Sequence, residues 1–342
     1  MSRKNLILGG ILLGLIILIY LFQSPWQDWG KGPNFLSDLE IDQVEKIEVT
    51  REDSTSVLIR EGEFSWRVEG EGDFYLTESD ARELEEKMSD LAKAEFELAS
   101  GEEEKKEEFD TNKEQGSWVK VYKEGELFAE FVVGQMDSHT FGNTYISHPD
   151  KPETYSVLNL RLTSLFLKDD WRSRIIFDTP KEEIDRLRFQ YPDREFALER
   201  GTTTDEEGEE VKVWQGVSPS EFAVDQEKLE EVLEVMTDLR AFDIPEQDFE
   251  GTGLTDHLII VEASGDDVSN ILMVGESHDT DYMIQEEREM LPEEMSEEEV
   301  EEYLADMEFP ELYYAKRGDS DSIYLILGEE RDLLDQTIQS LN

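Results

Sequence analysis

The stretch Ile41-Asp42-Gln43-Val44-Glu45-Lys46-Ile47-Glu48-Val49 returns in altered form as Ile184-Asp185-Arg186-Leu187-Arg188-Phe189. Both alternate apolar and polar positions, the period of a half-buried strand. The likeness continues downstream, where Val57 and Ile59 answer to Phe196 and Leu198. A Trp-bearing strand, Phe64 to Val68, answers to Val211 to Trp214, and Phe74 to Leu76 answers to Phe222 to Val224. Self-similarity over such a distance sets the architecture of the whole chain, so it is read first.

Both halves then change period. Thr77 is placed to cap a helix, with Asp80 three positions on and an apolar stripe at Leu84, Met88 and Leu91. Asp225 does the same ahead of Leu229, Val232, Leu233, Met236 and Leu239. The helices end at Ala94-Glu95-Phe96 and Ala241-Phe242-Asp243. Paired strands follow, Trp118 to Tyr122 with Leu127 to Val133 and Gly134, matched by Leu258 to Glu262 with Ile271 to Val274 and Gly275. Thr144 to Ser147 and Thr154 to Val157 match Leu312 to Ala315 and Ser322 to Leu325. The expected class is α+β: two tandem copies, 39–178 and 179–342, each an antiparallel sheet burying one face against an amphipathic helix. A doubly wound nucleotide fold does not fit, since neither GxGxxG nor GxxxxGK[ST] occurs. Trp66, Trp214, Tyr145 and Tyr155 fall on alternating faces and are expected in the packing.

The copies differ where the second inserts residues 286–310. Ser296 can cap a helix there whose apolar face carries Val300, Tyr303, Leu304 and Met307 amid glutamates. That helix is either a lid over its own domain or a contact surface for a partner. In the first copy Gly101 to Glu108 is a nearly unbroken charged run, expected to be a solvated loop.

Ahead of the repeat, residues 6–22 hold no charge and, apart from glycine, only hydrophobic residues. The run approaches the length of a membrane-crossing helix, at the short end of the range. Arg3 and Lys4 precede it, Trp26 and Trp29 follow it, and the next basic residue is Lys31. The positive-inside rule places residues 1–5 in the cytoplasm and the rest outside, with the bilayer itself as a partner. A cleaved signal peptide is the competing reading, but the run is long for one and Leu21-Phe22-Gln23-Ser24 offers no small-x-small site. Gly10 and Gly14 are spaced to let a second helix approach closely. Residues 23–38, with Pro25, Gly30, Gly32 and Pro33, read as a linker.

The 342 residues carry 32 Lys and Arg against 85 Asp and Glu, a net charge of −53. Such a chain repels nucleic acid and anionic lipid headgroups rather than binding them. With 38% hydrophobic residues it still has material for real cores. Acidity spread through both copies is what adaptation to high salt produces, where screening relieves self-repulsion. The absence of Cys removes disulfides, thiolate metal sites and cysteine nucleophiles.

Chemistry-bearing clusters are few. Of four histidines, His278 sits with Ser277, Asp279 and Asp281, and His139 with Asp137 and Ser138, both after a strand where turn residues are expected. Neighbours in one loop do not generally reach triad geometry. Asp110, Asn112, Glu114 and Gly116 fail as a calcium loop because the glycine is one position late. No catalytic residue, cofactor or metal site is therefore expected. His148 and His257 stand apart from these clusters.

The anchor, the Ile41-Asp42 and Ile184-Asp185 starts, the Trp66 strand and helix ending near Phe96, and the Val133-Gly134 and Val274-Gly275 strand ends together resemble a bacterial family. It is classified as domain of unknown function 4340, and Tyr145 and Tyr155 complete the likeness. The acidity and the 286–310 insertion depart from its common pattern. Members are similar to accessory components of ABC-type transport and gliding-type membrane systems, with no catalytic residues assigned. The resemblance thus implies a non-enzymatic extracytoplasmic scaffold whose partners are membrane-embedded, such as transporter subunits. The alternatives are an extracytoplasmic hydrolase of envelope polysaccharide or peptide, with a deep cleft holding polar groups of perturbed pKa, and an envelope-binding or adhesion module.

Overall fold

Ile47 and Val49 are wholly or almost wholly buried while the residues between and beside them face outward or sideways, so the opening stretch forms a strand with one wet face. The computed structural model describes residues 36–342 except 38, 53, 71, 141, 169, 205–209, 257–258 and 293–294. The apolar segment 6–22, with Gly10 and Gly14, lies outside the described residues, as does His257. Among the described residues no helix is long and apolar enough to cross a membrane. The architecture is mixed α+β, mostly antiparallel sheet with a few helices.

Two compact units are present, the first running to Arg172 and the second from Ser173 to Asn342, with 71–73 grouped with the second. The first unit holds β1 (Val44–Arg51), β2 (Ser54–Gly62), β3 (Ser65–Val68), β4 (Phe74–Tyr75), α1 (Glu78–Lys93) and β5 (Phe96–Ser100). It continues through β6 (Ser117–Lys123), β7 (Glu126–Met136), β8 (Thr144–Ser147), β9 (Thr154–Val157) and α2 (Thr163–Phe166). Its nine strands lie in the order β4-β3-β2-β1-β6-β7-β8-β9-β5. Leu36, counted above with the linker, is fully buried, so packing starts before residue 39.

The second unit begins with β10 (Ile175–Asp178), β11 (Arg186–Gln190), β12 (Glu195–Thr204), β13 (Glu210–Ser218), α3 (Gln226–Thr237) and β14 (Asp238–Arg240). β15 (Ile259–Ser264), β16 (Ser269–His278), α4 (Asp281–Met290), α5 (Glu297–Asp306), β17 (Leu312–Arg317), β18 (Ile323–Leu327) and α6 (Gly328–Leu334) complete it. Its main sheet runs β13-β12-β11-β15-β16-β17-β18, the same succession as β3-β2-β1-β6-β7-β8-β9. Asp243, just past β14, bridges Leu325 of β18 much as β5 lies beside β9. β10 pairs with β14, which moves the boundary: residues 175–178, expected at the end of the first copy, belong to the second unit. The inserted segment also starts earlier than residue 286 and forms two helices, α4 and α5, because Asp281 opens a helix directly after the β16 strand end.

Local chemistry explains these elements. The Thr77 hydroxyl accepts the Asp80 N–H at 3.0 Å, and Asp225 accepts the Glu227 and Lys228 N–H groups, so both caps form as the spacing implies. Trp66 is fully buried, and its indole N–H donates to Glu85 at 3.0 Å. Glu85 is 5% exposed and also accepts from the Phe64 N–H and the Arg60 guanidinium. A carboxylate in that position is tolerated because three donors meet it.

Gly134 and Gly275 share a purpose. A Cβ on Gly134 would stand 2.2 Å from the Phe109 carbonyl oxygen, and one on Gly275 would stand 2.1 Å from that of Thr252. The next residues, Gln135 and Glu276, donate their N–H groups to those same carbonyls at 3.1 and 2.8 Å. Pairing shifts register immediately afterwards, between Val133 and Met136 and between Val274 and Ser277. A bulge held by a crossing loop thus re-aims the strand end in each unit.

Candidate functional site

The register past the two bulges aligns the strand ends. Met136 pairs with Thr144 and Ser277 with Tyr313, so Asp137 and His278 occupy matching places, as do Tyr145 and Tyr314. Phe109 and Thr252 match through the carbonyls that receive Gln135 and Glu276.

In the first unit the Phe109 ring lies over Tyr145, with centroids 4.5 Å apart. Burial, followed by the charge of Asp137 and a hydrogen bond to it, pushes the Tyr145 hydroxyl pKa up. Asp137 in turn accepts the His139 N–H at 2.9 Å, and this bond is the main reason its carboxyl sits below the usual aspartate range. The His139 side chain is 93% exposed, so Asp137, Ser138 and His139 form a turn rather than a catalytic set.

In the second unit Thr252 supplies no ring, and a cavity of about 400 Å³ opens against Tyr314. The His278 ring packs at steep angles against two tyrosines, 5.0 Å from Tyr314 and 5.5 Å from Tyr282 between ring centroids. Tyr282 comes from α4, so the inserted segment supplies part of the cavity wall. Its hydroxyl pKa is pushed up to about 12, first by burial and then by the charges of Asp243 and Glu286. The hydroxyl approaches Asp243 at 3.5 Å, and Asp243 pairs with Arg174 at 3.0 Å. Burial also raises the Tyr314 hydroxyl. Asp243, Glu246, Asp248 and Glu250 bring carboxylates to the lining, and among the described residues no Lys or Arg lies in it.

Of the cluster Ser277, His278, Asp279 and Asp281, only His278 reaches this lining. Asp279 accepts the Asp281 N–H at 2.8 Å, a turn-closing bond that opens α4. The Nδ1 of His278 is buried and has no hydrogen-bond partner among the described residues. His278 therefore makes no triad-type hydrogen bond to a carboxylate through Nδ1.

One further cluster, in the first unit, has ligand spacing: Glu130, His148 and Asp150 offer atoms within 4.8 Å of one another. Its bonding argues against a metal. His148 Nδ1 accepts the Asp150 N–H at 3.1 Å, which leaves the ring proton on Nε2, and Glu130 accepts the Trp118 indole N–H at 3.1 Å. A metal-bound imidazole instead donates through its other nitrogen. Asn112 likewise spends its oxygen on the Glu114 and Gln115 N–H groups, as a turn residue does.

The apolar face read from the insertion is partly used within the unit. Leu304 is buried, and Val300 and Met307 are half-buried. Tyr303 remains 43% exposed, its hydroxyl 3.4 Å from Glu287 of α4, and Met290, unnoticed in the sequence pattern, is 73% exposed.

Tyr282, Tyr314 and Asp243 were not singled out as site residues from sequence. The signal available was the exchange of Phe109 for Thr252 at matching places, visible only once the bulges fix the alignment. No curated protein and no solved structure matches the chain. A family model described as Domain of unknown function (DUF4340) matches residues 66–254, more than half of the chain, from β3 of the first unit to the loop before β15 of the second, and the chain belongs to that family.

Proposed function

We propose that this chain is a membrane-anchored, extracytoplasmic and non-enzymatic accessory protein that scaffolds a membrane complex, with subunits of an ABC-type transporter as partners. In this reading residues 6–22 hold it in the bilayer, and a duplicated α+β unit stands outside. The observation that carries it is the helix pair α4 and α5. Between Asp281 and Asp306 there are twelve acidic residues and a single Arg, far denser than the chain as a whole, and Met290 and Tyr303 are exposed among them. An acidic face with exposed apolar anchors suits docking against a basic protein surface. The unpartnered Nδ1 of His278 supports the non-enzymatic part of the reading.

Affinity purification of the full chain from mildly solubilised membranes tests this. Transporter subunits are expected to co-purify, and the pair Met290→Ala and Tyr303→Ala is expected to reduce their recovery. Recovery of the chain alone, with normal transport in a deletion strain, overturns the proposal. Enrichment of polysaccharide or cleavage of an envelope polymer does so too, in favour of an adhesion module or a hydrolase.

A further inference from the structure

We propose that the cavity of the second unit binds a small organic cation, an amine or quaternary ammonium, against Tyr282, Tyr314 and His278, with carboxylates from the loop after β14 supplying the counter-charge. This goes beyond the scaffolding role and stands or falls separately from it.

Three features converge. The rings meet at steep angles, His278 at 86° to Tyr282 and 67° to Tyr314, so they form a corner rather than a flat platform. A corner of aromatic rings encloses a compact cationic head, whereas a sugar stacks on an open ring face. The volume of about 400 Å³ suits a small molecule.

Charge gives the second argument. Four of the lining residues are acidic, and the nearby Arg174 is committed to Asp243 and to the Phe242 carbonyl. An anionic ligand would meet only repulsion. A bare divalent ion is also a poor fit, because among the described residues the Glu130 cluster alone groups three ligand atoms within 4.8 Å, and it lies in the other unit.

Comparison of the units gives the third argument. The matching place in the first unit is covered by Phe109 on Tyr145, with Asp137 bonded to the tyrosine. In the second unit the covering ring is absent, a ring-bearing helix has been added beside the opening, and His278 replaces Asp137. His278 keeps a buried nitrogen without a partner, a cost that an ordinary packing residue does not carry.

Titration calorimetry on the full chain in detergent, with choline and tetramethylammonium as probes, tests the site at both low and molar NaCl. Saturable binding at one site per chain is expected. Tyr282→Leu and Tyr314→Leu should each weaken it by about tenfold. Tyr282→Phe, which keeps the ring, should change it less than about twofold, and Tyr145→Leu in the first unit should leave it unchanged. The double variant Glu246→Gln with Glu250→Gln alters only exposed groups, so its expected weakening does not depend on folding. No saturation by about 10 mM overturns the proposal. Equal binding by wild type and both leucine variants does so too, marking diffuse attraction to an acidic surface. Displacement of choline by magnesium or by glucose at comparable concentration overturns it as well, in favour of a metal or sugar site.

Discussion

Glu85 is the residue whose importance its neighbours in sequence conceal. It sits beside Leu84 in a helix whose stripe is read from apolar positions, and a glutamate there looks like part of the wet face. Folding instead brings Trp66, Arg60 and the Phe64 amide onto one of its oxygens. Glu85→Ala leaves the buried Trp66 indole N–H without its acceptor and takes one from the part-buried Phe64 amide and Arg60 guanidinium, and should cost about 3 kcal/mol in denaturant unfolding. Glu85→Gln keeps an acceptor and should cost clearly less. Equal losses in the two variants would show that the acceptor is not what matters. Gly275 makes a steric case of the same kind. Gly275→Ala forces a methyl group against the Thr252 carbonyl and should destabilise by about 2 kcal/mol, measured as a shift in the unfolding midpoint. A neutral outcome would mean that the crossing loop yields easily.

Among elements, most strands and both long helices follow from period and capping residues, although Leu239, read into the second helix's stripe, belongs to β14. Thr77, Asp225 and Ser296 each cap the helix that their spacing implies. Around Ser296 the box is complete: its hydroxyl accepts the Glu299 N–H, and the Glu299 carboxylate accepts the Ser296 N–H at 2.9 Å. That backbone bond, first among the causes, holds the Glu299 carboxyl below its usual range. Ser296→Ala should therefore fray the start of α5 and speed exchange of its amides by about fivefold, with the sheet amides unchanged. Uniform exchange rates before and after the substitution would count against a local role for the cap. β10 and β14 were harder to read, because three- and four-residue strands carry too few alternations to show a period, and only their mutual pairing defines them.

For the whole molecule, charge is the dominant physical fact. A net charge of −53 opposes compaction at low ionic strength, and salt screens that repulsion. The thermal midpoint of the full chain should rise steadily from about 0.1 M to about 2 M NaCl. A flat or falling midpoint would rule out adaptation to saline surroundings. Neutralising one exposed carboxylate, such as Glu298→Gln, should shift the midpoint far less than the salt series does, because the effect belongs to the sum of charges.

Local period and the likeness of one half to the other carry the α+β class, the matching strands of the two halves, the caps of the long helices and family membership, whereas β10, β14 and α4 escape them. Which side chains meet across those elements follows from packing in three dimensions. The partners of Glu85, the bulges that align Asp137 with His278, and the cavity that gathers Asp243, His278, Tyr282 and Tyr314 all join residues apart along the chain. No local pattern encodes such meetings, because they depend on register and loop crossing. The candidate site was therefore visible in the sequence only as one histidine in an apparent turn.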